Sequence, residues 1–309
     1  MVTKTQVDHE LRIKGYRRIS FIGGGSFSDV WRGTYMFNDR QDLAIKIVNK
    51  TMTDGEFVEK FLPREISNLR QVQHSNFVKI YDIFETARFV YIVMEFCNNG
   101  CLENVIDNYG AMSATYCRRI FRQLCHVVKY LHSRSICHRD LKSGNVLLDS
   151  NGNVKLADMG FSRDCKPKRD GTRKRVDSFC GTLGFVAPEV IQHVPYCPKA
   201  GDIWSLGCIL YHMAFGVMPF DDESNTINLT YAKIPGYVKP YFDKDLGDLI
   251  QKLLESDPSK RISMVAILSH PWLLKDNGNL PEAPLKVLIL ILLSFCFRLV
   301  VFIGSLPRS

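Results

Sequence analysis

His138-Arg139-Asp140-Leu141-Lys142-Ser143-Gly144-Asn145 places a carboxylate, an ammonium group and a carboxamide within six residues. That set suits phosphoryl transfer: one group to orient a hydroxyl, one to neutralise a phosphate and one to hold Mg²⁺. Asp158-Met159-Gly160 adds a second carboxylate, a hard oxygen ligand, followed by a glycine hinge. Upstream, Ile22-Gly23-Gly24-Gly25-Ser26-Phe27-Ser28-Asp29-Val30 is a glycine-rich run whose backbone amides can approach phosphate oxygens. Lys46 ends the alternation of Leu43-Ala44-Ile45-Lys46 and would project into a cleft.

These residues need elements to position them. Tyr16 to Ile22 and Val30 to Tyr35 read as strands on either side of the glycine-rich turn, and Leu43 to Val48 as a third. A strand rather than a helix follows the glycines, which argues against a dinucleotide fold. Apolar spacing at Phe57, Phe61, Leu62, Ile66 and Leu69 predicts a helix between Phe57 and Val72, with Pro63 starting or kinking it. Val78 to Phe84 and Phe89 to Phe96 are two more strand-like runs. Helices dominate beyond Cys97. Ser113 is placed to cap one whose apolar stripe is Ile120, Leu124, Val127, Val128 and Leu131. Asp202 to Phe215 is nearly all apolar, the pattern of a helix buried all round. Leu246–Leu254 and Met264–Leu273 are amphipathic. The shift from strands to helices predicts a two-lobed α+β protein with its site in the cleft.

The 309 residues allow two lobes with ample core. Ten cysteines are scattered without a metal-ligand spacing, as expected of reduced thiols in a cytosolic protein. The polar stretch Met1 to Lys14 has no signal-peptide character. The net charge of +8 is concentrated between Arg163 and Arg175, with no aromatic residues interleaved, so it reads as a loop property and no nucleic acid is expected.

The motifs, seven in the same order across Tyr16 to Trp272, resemble those of eukaryotic protein kinases of the Ser/Thr class, with a small β-rich lobe (16–95), a helical lobe (96–272) and an N-terminal extension (1–15). Lys142 and Gly181-Thr182 resemble the Ser/Thr class rather than the tyrosine kinases. Phe61-Leu62-Pro63-Arg64-Glu65-Ile66, Tyr91-Ile92-Val93-Met94-Glu95 and Pro195-Tyr196 through Gly207 are similar to the testis-specific serine/threonine kinases, near the calcium/calmodulin-kinase group. The resemblance implies ATP and Mg²⁺ as cofactors and protein Ser/Thr hydroxyls as acceptors. By it, Asp140 is the base and Lys142 steadies the phosphoryl group. Lys46 holds the nucleotide phosphates and pairs with Glu65, and Thr182 shapes the acceptor pocket. Asn145 and Asp158 hold the metal. Ile22 to Val30, Ala44 and the hinge Glu95 to Cys97 enclose the nucleotide, with Met94 as gatekeeper.

Scaffold roles implied by the resemblance are an ion pair between Glu189 of Ala187-Pro188-Glu189 and Arg261, and bracing of the catalytic loop by Asp202. Ser178 matches the family's activation-loop phosphosite, to be phosphorylated by an upstream kinase or by the chain itself in trans, with Arg139 as receiver. Basophilic relatives carry acids where this chain has Cys101, Gly144 and His212, so a weak preference for Arg upstream of the target is expected. Three positions depart from the family pattern: Ser28 for the third glycine, Met159 for phenylalanine, and Leu183. The first two leave a weakly active or non-catalytic scaffold as the alternative reading, with spermatogenesis an implication of kinship.

After the linker Pro281-Glu282-Ala283-Pro284 the chain becomes strongly apolar. Val287 to Phe297 is too short to span a bilayer; extension to Leu306 reaches the usual length of about twenty residues but places Arg298 near its centre. A membrane anchor through 285–306, a segment docked on the helical lobe and a read-through terminus are the three readings of this tail. The expected localisation is cytoplasmic, with membrane association under the first.

Overall fold

The computed structural model describes residues 4–24, 28–52, 62–165, 176, 180–220, 222–229 and 243–275. Gly25, Ser26, Phe27, Phe57, Phe61, Ser178 and the 285–309 tail lie outside them. Five antiparallel strands form one sheet in the order β1-β2-β3-β5-β4: β1 Tyr16–Gly24, β2 Ser28–Tyr35, β3 Asn38–Asn49, β4 Ile80–Glu85 and β5 Phe89–Glu95. The register pairs Val30 with Lys46 and Lys46 with Ile92. Side chains alternate along a strand, so Ala44 and Lys46 share one face while Leu43, Ile45 and Ile47 share the other.

That second face is covered by a helix the sequence reading did not foresee, α1 Lys4–Ile13. Its apolar side is narrow, Val7 and Leu11 four residues apart, and packs with Ile45, Tyr91 and Val93. Polar contacts complete the seat. Tyr91 donates its hydroxyl to Glu10 at 2.5 Å, and Arg18 pairs with Asp8. Helix α2, Leu62–Gln71, lies on the cleft side, with Pro63 in its first turn, where a missing N–H costs nothing.

The larger lobe is helical. α3 is Leu102–Tyr109, α4 Ala114–Ser133, α5 Pro188–Ile191, α6 Pro198–Phe215, α7 Glu223–Asn228 and α8 Lys244–Leu253. Ser113 caps α4 by accepting from the Tyr116 amide at 3.4 Å. From Ile203 to Phe215 every residue of α6 is buried, as its uniform apolarity predicts. Gly207 permits the close approach of α8: a Cβ there would stand 2.8 Å from Leu253 Cβ. The single helix expected over Met264–Leu273 is instead two, α9 Met264–Leu268 and α10 Pro271–Leu274. Pro271 has no N–H to continue α9, and His270 Nδ1 accepts from the Trp272 amide at 3.3 Å, starting α10.

Two small antiparallel pairs frame the cleft: β6 Ile136–Cys137 with β9 Arg163–Asp164, and β7 Val146–Leu148 with β8 Val154–Leu156. Among the described residues no helix is long and apolar enough to cross a membrane.

Candidate active site

The loop between β6 and β7 carries the chemistry. Thr182 donates its hydroxyl to Asp140 Oδ1 at 2.8 Å and accepts from Lys142 Nζ at 2.8 Å. Lys142 Nζ also lies 3.2 Å from Asp140 Oδ2. Asn145 donates Nδ2 to the Asp140 carbonyl at 2.8 Å and to Oδ2 at 3.1 Å. Both of those bonds use the side-chain amide nitrogen, so Asn145 Oδ1 stays outside them. Asp140 is 6 % exposed, so its carboxylate is largely shielded, and neutral and cationic donors surround it.

The loop backbone is strained and braced. Arg139 has φ 68°, a left-handed conformation that costs a non-glycine residue about 1 kcal/mol or more. Asp202, at the buried start of α6, accepts the His138 amide at 3.0 Å and the Arg139 amide at 2.8 Å. A third partner, His132 Nε2, reaches Asp202 Oδ2 at 2.7 Å. Burial works to raise the Asp202 carboxyl, but the His132 bond and charge and the backbone donors outweigh it and hold the group below the usual carboxylate range. His138 Nδ1 accepts the Asp140 amide at 3.3 Å, which leaves Nε2 to donate to the Ala157 carbonyl at 3.1 Å.

On the opposite wall, Lys46 Nζ lies 2.8 Å from Glu65 Oε1 and 3.0 Å from Asp158 Oδ1. Burial would lower the ammonium, yet the Asp158 and Glu65 charges hold it above its ordinary range. Asp158 is likewise raised by burial but lowered more by Lys46 and by the Gly160 amide, settling at about 2. Burial pulls Glu65 upward against the Lys46 charge, so Asp158 is the more firmly ionised partner. Met159 is fully buried in the main core. Ser162 donates to the Met159 carbonyl at 2.6 Å and accepts from Asn68 of α2 at 2.9 Å, tying that helix to the turn. The β7–β8 register sets Asn145 opposite Ala157, whose amide donates to the Asn145 carbonyl at 2.9 Å. Asp158 follows directly. Hard oxygens from the turn that enters β7 and the turn that leaves β8, beside a lysine, fit Mg²⁺ and a polyphosphate.

The remaining predicted positions fall on the sheet, on the segment leading into α3 and in the helical lobe. Ile22, Gly23 and Gly24 end β1; Ser28, Asp29 and Val30 begin β2; Ala44 lies on the Lys46 face of β3. Glu95 ends β5 with its side chain on Lys155 at 2.9 Å, and the Cys97 carbonyl accepts from Gly100 at 3.2 Å, turning the chain into α3. Arg139 Nε donates to Tyr196 Oη at 3.3 Å. Arg261 uses all five donors: two to Glu189, at 2.8 and 3.0 Å, and one each to the carbonyls of Ala200, Glu255 and Ser256. Three contributors were missed. His132 and Ser162 carry no local sequence signal. Glu103, in the first turn of α3, brings Oε2 to 2.9 Å from where a Gly144 Cβ would stand, a carboxylate that appears only once the fold sets α3 against the loop.

Residues 16–273 match the protein kinase domain model. The chain belongs to the protein kinase family. It is 43 % identical over 269 residues to mouse testis-specific serine/threonine-protein kinase 2, covering 85 % of this chain and 74 % of that one. Human testis-specific serine/threonine-protein kinase 1 is 39 % identical over 280 residues, 89 % and 76 % of the two chains. Mouse testis-specific serine/threonine-protein kinase 3 is 34 % identical over 263 residues, 84 % and 96 %. The fold is the bilobal α+β kinase fold, and the chain is an ATP-dependent protein serine/threonine kinase by family. Kinases of this family use ATP and Mg²⁺ and act on proteins.

Proposed function

We propose that this kinase is catalytically active, with Asp140 as the base that orients and deprotonates a protein Ser or Thr hydroxyl. The observation that carries the reading is the Thr182 hydroxyl held between Asp140 Oδ1 and Lys142 Nζ, each at 2.8 Å. It joins the group that would meet the acceptor to the group that would meet the transferring phosphoryl. Lys46, with Glu65 behind it, would hold the nucleotide phosphates, and Asn145 and Asp158 would hold Mg²⁺, which supplies charge neutralisation at the phosphates. Ile22 to Val30, Ala44 and Glu95 to Cys97 would enclose ATP. Asp202 keeps the loop in shape, and the Glu189–Arg261 pair anchors the segment that carries Thr182.

Four finer statements belong to the same reading. Phosphorylation at Ser178, by an upstream kinase or in trans, would activate the enzyme through Arg139. The names of the relatives support a role in spermatogenesis. The protein acts in the cytoplasm, with the 285–306 segment the candidate for any membrane attachment. Upstream Arg is only weakly preferred, because Cys101, Gly144 and His212 carry no carboxylate.

The second reading, a non-catalytic scaffold, draws on Ser28 and Met159. Burial of Met159 and the short Lys46–Asp158 contact weigh against it, since the turn keeps its carboxylate on the lysine. Autophosphorylation with Mg-ATP, lost in Asp140→Asn, tests the choice. Equal incorporation by both proteins, or none by either after Ser178 phosphorylation, overturns the active reading.

A further inference from the structure

The strand pair β6–β9 brings together two thiols that are 28 positions apart in the chain. Ile136 pairs with Asp164 and Cys137 with Arg163, and the Cys165 amide donates to the Ser135 carbonyl at 2.7 Å. Cys137 and Cys165 therefore sit diagonally on one face of the pair, and their side chains are hydrogen-bonded to each other. Cys137 has no exposed surface. Cys165 is 6 % exposed, but it lines a cavity of about 630 Å³ with His132, Cys197 and Lys199. A small polar oxidant can reach Cys165 by that route.

We propose that Cys137 and Cys165 form a disulfide-forming pair, with Cys165 reacting first and Cys137 resolving. The oxidant class is a hydroperoxide. The Cys165 sulfur attacks the peroxide O–O bond, which breaks; the sulfur becomes a sulfenic acid and one oxygen leaves as water or alcohol. The Cys137 sulfur then attacks the Cys165 sulfur. An S–S bond forms, the S–O bond breaks, and hydroxide leaves with the Cys137 proton as water. Two thiols are oxidised by two electrons and one peroxide is reduced.

The order of reaction follows from surroundings. The hydrogen bond from Cys137, with the Lys199 charge nearby, moves the Cys165 thiol below its ordinary range, whereas burial pushes Cys137 up. Burial takes Cys97 and Cys117 up to about 12, and raises Cys125, Cys180 and Cys208 as well. Those thiols are poor nucleophiles. The bond would join the strand leading into His138 to the strand leading into residues 166–179. It uses none of the groups assigned to phosphoryl transfer, so the inference stands apart from that reading.

The test uses the full chain, reduced, then exposed to graded hydrogen peroxide, alkylated and mapped by mass spectrometry without reduction. The expected product is a Cys137–Cys165 cross-linked peptide lacking two hydrogens, reversed by dithiothreitol. It should form at least about tenfold faster than any oxidation of Cys117 or Cys125. In Cys137→Ser, dimedone should trap a sulfenic acid at Cys165; in Cys165→Ser, Cys137 should stay reduced. The wild-type map decides alone if either variant fails to fold. A Cys165–Cys197 disulfide, or no oxidation of Cys165 ahead of the buried thiols, overturns the proposal.

Discussion

Arg139 holds a left-handed backbone, φ 68°, and its amide donates to Asp202 Oδ1 at 2.8 Å. One buried carboxylate thus fixes the conformation that turns Asp140 into the cleft. Hydrogen bonds to a charged acceptor contribute about 1.5–3 kcal/mol each, enough to hold a residue strained by about 1–3 kcal/mol.

Asp202→Asn replaces an acceptor of three donors by a group with one carbonyl and an NH₂ that meets donors. Stability should fall by about 2–4 kcal/mol, and kcat should fall more than the nucleotide KM rises. Denaturant unfolding and steady-state kinetics measure the two. His132→Ala should have the same signature at about half the stability cost, because two of the three donors remain.

Acid stability should depend on Asp202. Its carboxyl is lowered in the folded protein, so its contribution is fully present above the unfolded value of about 3.9 and is lost as pH falls below it. Wild type should lose more stability than Asp202→Asn between about pH 5 and pH 3. Parallel unfolding curves across that interval would show that the carboxylate is not held ionised by its partners.

Arg261→Ala strands the buried Glu189 carboxylate and three carbonyls that shared the guanidinium. Breaking one side of a buried pair costs about 3–5 kcal/mol, measured by unfolding. Arg261→Lys should recover only part of it, since three donors on a point charge cannot reproduce the bidentate geometry.

Glu103 is the carboxylate that fills the space over Gly144. Peptides with Arg upstream of the acceptor should be favoured only a few-fold in kcat/KM, about the worth of one partly exposed ion pair. Glu103→Gln should remove that preference through KM while kcat on neutral peptides stays unchanged. A large Arg preference that survives the substitution contradicts this assignment.

The motif residues were legible because the chemistry concentrates them: Asp140 to Asn145, Asp158 and Lys46 each occur in or beside a strand-like run or a turn where a charged or amide side chain breaks the apolar pattern. The long strands and the wholly apolar α6 were legible for the same reason, since burial writes a period into the sequence. Helix α1 was not, because it buries only Val7 and Leu11 from an otherwise polar stretch. The break at Pro271 was readable from proline chemistry but was overridden by the apolar spacing around it. Strands of two residues, such as β6 and β9, carry no period, so the Cys137–Cys165 contact could not be seen before the chain was folded; the His132–Asp202 bond joins α4 to α6, and no local pattern sets how those helices pack.

Transfer of phosphate from Mg-ATP to a degenerate peptide library, followed by phosphoamino-acid analysis, tests the role of Asp140 most directly. The wild-type protein should produce phosphoserine and phosphothreonine without phosphotyrosine, and Asp140→Asn should lose at least about a hundredfold in rate, as for removal of a general base, while still binding nucleotide. Equal rates for the two proteins, or nucleotide binding with no transfer by either, would contradict it.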